Sequence, residues 1–176
     1  MKRFISILVV LFVTVSAFAQ DNVLRQRLEL AEVEINDGEL NLEVFQMEDN
    51  GRYYLSVGHL GIGDDIIQLN FDPVFELFIP LGETLAEAVE KMDQLKEFYG
   101  ESSGTSMEVD GCLSAAYPND KWEPVKVTSR RFLFSKMLEF SVERDGFIRA
   151  THIDRSDFKA LVASLKLYRK IHPNEP

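Results

Sequence analysis

The chain has 176 residues, 45% of them apolar and 27% charged, which is long and apolar enough to bury about two thirds of its unfolded surface without cross-links. A single cysteine, Cys112, excludes an internal disulfide framework. The formal net charge of −10 argues against nucleic acid or an anionic membrane as partner, because phosphate binding needs clustered Lys and Arg.

Residues 1–19 read as a signal peptide. Lys2 and Arg3 precede an apolar run from Phe4 to Val15, and Ala17-Phe18-Ala19 has the small-x-small form of a cleavage site. The run is short for a bilayer core of roughly 30 Å, and no comparable run follows, so no membrane association is expected. The expected product is soluble and secreted or periplasmic. Its charge is uneven: residues 20–117 carry 21 acidic and 5 basic side chains, residues 118–176 carry 8 and 12. Opposite halves of this kind predict a protein partner or self-association by charge complementarity.

Along the chain, Leu24, Leu28 and Ala31 fit a helical face, whereas Val33 and Ile35 alternate like a strand. Leu40, Leu42 and Val44 alternate with Glu39, Asn41 and Glu43, predicting one buried and one wet face. Asp49-Asn50-Gly51 predicts a tight hairpin turn, with Arg52–His59 returning. After a glycine-rich break, strands are expected over Ile66–Phe71 and Val74–Ile79. Thr84 and Glu87 form a capping box for a helix whose inner face is Leu85, Ala88, Val89, Met92, Leu95 and Phe98.

Glu101–Ser106 is polar and marks a boundary. Beyond it, Met107–Tyr117 and Val125–Phe134 read as strands, the second with a bulge near Ser129–Arg131 where its apolar parity slips. Leu138, Phe140 and Val142 alternate, Asp145-Gly146 turns the chain, and Phe147–Ile153 returns. A last helix carries Phe158, Leu161, Val162, Leu165 and Tyr168 inward. The predicted class is α+β: two ββββα-like halves, residues 20–100 and 107–176, each an antiparallel sheet packed by one helix within one compact domain. This element order is similar to that of the Whirly single-stranded-DNA-binding proteins. The resemblance carries no sequence motif, and what it implies is single-stranded nucleic-acid binding by topology alone.

Candidate chemistry is sparse. Asp64, Asp65 and Asp72 lie close in sequence and supply the oxygens a hard cation such as calcium wants, although EF-hand spacing is absent. His59, His152 and His172 are far apart, and neither H-E-x-x-H nor C-x-x-C occurs. Cys112 with a distant histidine, or a carboxylate pair, would be the means of a small hydrolase, the alternative function. No cofactor is implied. Tyr117 and Trp122 stand among polar groups in a proline-bracketed loop, and with Arg130 and Arg131 they form the predicted ligand-binding set, suited to an anionic or sugar-like molecule. The leading expectation is an exported, non-enzymatic binding or assembly module.

Overall fold

The computed structural model describes residues 27–35, 40–62, 75–114, 117–119, 121–144 and 146–173. The elements are β1 (Arg27–Ile35), β2 (Leu40–Met47), β3 (Tyr53–Ile62), β4 (Phe75–Gly82), α1 (Leu85–Phe98), β5 (Ser106–Ser114), β6 (Glu123–Phe132), β7 (Ser135–Arg144), β8 (Phe147–Asp154) and α2 (Arg155–Ile171). The expected strand over Ile66–Phe71 and the acidic set Asp64, Asp65 and Asp72 lie outside the described residues.

The strands do not form two sheets, each with its own helix. They form one eight-stranded antiparallel sheet in sequential order, β1 to β8. The join falls across the expected boundary, where β4 pairs with β5 through Glu76↔Ser114, Leu77↔Leu113 and Phe78↔Cys112. A second join ties Gly61 and Ile62 of β3 to Ala150 and Arg149 of β8, so the strands from β3 to β8 close a circuit. The physical reason is edge satisfaction: separate sheets would leave extra rows of unpaired backbone donors and acceptors, and joining them pairs those groups. β3 serves both neighbours because its register breaks between Ser56 and His59, where Gly58 takes φ 78°.

Both helices feed a common core. Leu85, Ala88, Val89, Met92 and Leu95 of α1 and Phe158, Leu161, Val162 and Leu165 of α2 are buried in one cluster with residues from all eight strands. α1 packs on β3 and β4, α2 reaches β1 and β2 as well as β7 and β8, and the helices touch each other. Lys166 of α2 donates to Asp93 of α1 at 2.8 Å. The capping box forms as its spacing predicts: Glu87 N–H donates to Thr84 Oγ1 at 3.2 Å, and Thr84 N–H to Glu87 Oε2 at 3.2 Å.

Three local expectations are corrected. The segment read as helical around Leu28 and Ala31 is β1: Leu28 is 42% exposed, and the bulge between Glu29 and Ala31 lets the neighbours Leu30 and Ala31 both be buried, which breaks the strict alternation of a strand. Glu43 is not on a wet face: it is 6% exposed. β6 carries no bulge near Ser129–Arg131, since its register to β7 runs unbroken from Lys126↔Ser141 to Phe132↔Ser135. Its parity slips because Phe132 is simply exposed at the hairpin end.

Candidate functional site

The end of the molecule bearing the β6–β7 hairpin gathers polar and apolar surface in one place. Pairing runs to Phe132↔Ser135, which leaves Leu133 and Phe134 as a two-residue turn. Beside it, the chain after α1 lies along β6: Gly104 N–H donates to the Ser129 carbonyl at 2.7 Å, Ser129 N–H to the Thr105 carbonyl at 2.9 Å, and Arg131 N–H to Ser103 Oγ at 3.2 Å. Between these segments opens a cleft of about 320 Å³, lined by Glu101, Ser102, Ser103, Arg130, Arg131 and Lys136 among others.

The three cations there differ in commitment. Arg130 forms a fork with Glu139, through Nη2 to Oε1 at 2.9 Å and Nε to Oε2 at 3.2 Å. Glu139 also meets His152 Nε2 at 3.1 Å. Burial pushes the Glu139 carboxyl up, but the bonds from Arg130 and His152 outweigh it and hold the group below the usual carboxylate range. Lys136 Nζ donates to the Tyr99 carbonyl at 2.9 Å, just past the end of α1. Arg131 is exposed and has no ion pair among the described residues.

Tyr117 and Trp122 sit elsewhere. Trp122 immediately precedes β6 and Arg130 lies near its far end, a separation of about 26 Å at the usual strand rise. Trp122 lies parallel to Tyr54, with centroids 6.4 Å apart, and Tyr54 stacks on Phe45 at 5.7 Å. Phe45, Met47, Tyr54, Phe78 and Cys112 form a second buried cluster, with Tyr117 packed against it. The structure therefore brings Arg130 and Arg131 together at the cleft, and places Tyr117 and Trp122 at a separate apolar cluster. Cys112 is fully buried in that cluster, and its Sγ accepts the Asn119 N–H at 3.3 Å.

Two features carry no motif in the sequence. One is the tip itself: Phe132, Leu133 and Phe134 are 66%, 76% and 101% exposed. The available signal is a Phe-Leu-Phe run between Arg130-Arg131 and Ser135-Lys136 without a glycine, asparagine or proline to mark a turn. The other is a partly buried charge network on β1 to β4, with Glu43 at its buried end and Arg27 at its exposed one. Arg27 reaches Glu43 at 3.4 Å and Glu76 at 3.5 Å, while Ser56 Oγ donates to Glu76 Oε1 at 2.5 Å. Burial outweighs the pull of Arg27, and with Glu29, Glu76 and Glu32 adding to it the Glu43 carboxyl is pushed up to about 7. Among the described residues no group of three or more His, Cys, Asp or Glu side chains is arranged to hold a metal ion. Nor is any described helix long and apolar enough to cross a membrane.

Comparison with known proteins returns no matching family model, no similar curated protein and no similar solved structure.

Proposed function

We propose that this protein is an exported, non-enzymatic binding or assembly module that engages its partner through the β6–β7 end. One observation carries the reading: three consecutive, largely exposed apolar side chains stand directly beside Arg131 and an open polar cleft. Large apolar side chains grouped on a protein surface mark an interaction site, and a neighbouring cation selects a partner that presents negative charge beside apolar surface. The rigid ladder of β6 and β7 holds the tip away from the core, which leaves it available for contact.

A photoreactive benzoyl group placed at position 134 in cells that make the protein tests this reading. Adducts are expected from position 134 and not from position 108, an exposed site on β5. Equal labelling from both positions, or none from 134, overturns it.

A second reading, hydrolysis by a carboxylate pair, is favoured by the elevated Glu43 beside Glu76. A carboxyl poised near neutrality suits a general acid. It requires that a panel of glycoside and ester substrates be turned over by the native protein and that Glu43→Gln abolish the turnover.

A further inference from the structure

Leu133 is the one described non-glycine residue with positive φ, at 53°. The first position of a two-residue hairpin turn favours glycine or asparagine, because a Cβ is strained there. The leucine recovers little from the fold, being three-quarters exposed; Phe132 beside it is two-thirds exposed and Phe134 fully so. Strain at Leu133 and exposure at all three residues give no benefit within the monomer. They have a use if the tip is buried in something else.

The size and shape of the tip indicate what that is. From their fractional exposures, the three side chains present roughly 450 Å² of surface, about half of what one partner buries in a stable protein interface. A two-residue turn is also convex, so a protein partner would need a matching groove, whereas the fluid headgroup layer of a bilayer yields to a wedge. Arg131 and Lys136 flank the tip where lipid phosphates would lie, Lys136 with ammonium protons to spare beyond the one on the Tyr99 carbonyl. Of the carboxylates nearby, Glu139 is held by Arg130, and the exposed Glu101 on the far wall of the cleft leaves the two cations in excess by one charge. The acidic balance of the whole chain does not cancel this, since exposed charges further away than about 8 Å are largely screened at physiological salt. Nor does the absence of a spanning helix among the described residues bear on it, because lying on a membrane and crossing one are separate properties.

We propose that Phe132, Leu133 and Phe134 insert into the interface of an anionic lipid bilayer, with Arg131 and Lys136 meeting lipid phosphates. The proposal rests on the β6–β7 end being the binding end. It concerns shallow, reversible docking of a folded domain.

The test is sedimentation of the protein with phosphatidylcholine vesicles, with and without about 30 mol% phosphatidylglycerol, at about 0.15 M salt. Stronger binding to the anionic vesicles is expected. Leu133→Ser with Phe134→Ser should cut that partition roughly tenfold or more and leave the melting temperature no lower, because both side chains are exposed. Arg131→Glu should remove the preference for anionic vesicles while retaining the weaker binding to phosphatidylcholine. Failure to sediment with either vesicle overturns the lipid assignment. If position 134 then photolabels a protein or a second copy, the binding end stands and only its occupant was misassigned. If the tip variants sediment like the native protein, both the lipid assignment and the binding end fall.

Discussion

Trp122 lies flat against Tyr54, with ring planes 5° apart and centroids 6.4 Å apart. Tyr54 in turn stacks on Phe45, and Phe45 meets Phe78 edge-on at 5.9 Å. Trp122 is therefore the outermost ring of a stack that closes the second apolar cluster, and 39% of it remains exposed. Trp122→Ala is expected to cost about 1–2 kcal/mol in urea unfolding, and Trp122→Phe less, since a ring of the same orientation keeps part of the stack. Binding through the β6–β7 end should be unchanged in both. A Trp122→Ala variant of native stability that no longer binds its partner would return this residue to the binding surface.

Glu43 makes stability depend on pH in an unusual direction. Its carboxyl is pushed up to about 7 in the fold, from an ordinary value of 4.5. The folded state therefore holds a proton that the unfolded state has released over that range, and ∂ΔG/∂pH is negative there. The contribution is fully present below pH 4.5 and is lost as pH rises through 7, to a total of about 3 kcal/mol. Glu43→Gln keeps the neutral form at every pH. It should match the native protein near pH 4.5 and exceed it at pH 8 by up to that amount. Parallel stability curves for the two proteins between pH 4.5 and 8 would show that Glu43 is not elevated.

What the sequence discloses and what it hides follow from the range of the interactions involved. The capping box of Thr84 and Glu87 and the turn at Asn50-Gly51 are legible because the partners are within five residues of one another, and both form. The joining of the sheet is not legible. It depends on Phe78 meeting Cys112 and on Ile62 meeting Arg149, pairs far apart along the chain, and alternation says which face is buried but not which edges meet. The burial of Glu43 is hidden for the same reason, since its position on β2 alternates like a solvent-facing one until Arg27, Ser56 and Glu76 arrive from β1, β3 and β4. Of the predicted site, Arg130 and Arg131 share a cleft because the chain after α1 lies along this end of β6, an approach that adjacency on a strand does not disclose. Trp122 is close to them in number and distant in space, because extended backbone converts each residue into about 3.3 Å.

Cys112 is expected to behave as a core side chain. It is fully buried among Phe45, Met47, Tyr54 and Phe78, an apolar setting that keeps the thiol out of reach of reagents. A thiol-specific chromogenic reagent should leave the native protein unmodified and modify one thiol per chain in denaturant. Cys112→Ala should cost about 1–2 kcal/mol through the small void it leaves. Rapid labelling of the native protein, faster than its unfolding, would instead require an accessible thiolate and would revive a nucleophilic role.

The most severe single substitution should be Gly111→Ala. Gly111 lies on β5 opposite Glu123 of β6, next to the pairing that joins the two sets of strands. A Cβ placed there would lie 2.3 Å from Val125 Cγ2 and 3.1 Å from Leu77 Cδ1, and Val125 and Leu77 are both fully buried in the common core. Neither side chain can retreat into solvent, so relief requires β5 to shift against β4 or β6. The expected loss is about 2–3 kcal/mol by chemical denaturation, at the upper end of what overpacking produces. Gly146→Ala is the matched control: its φ of 78° strains an alanine, but a Cβ there meets no atom within 4 Å. That backbone strain alone should cost about 1 kcal/mol. If Gly111→Ala cost no more than Gly146→Ala, the close approach of β5 to β6 at this position would be wrong, and with it the packing that seats the seam between β4 and β5.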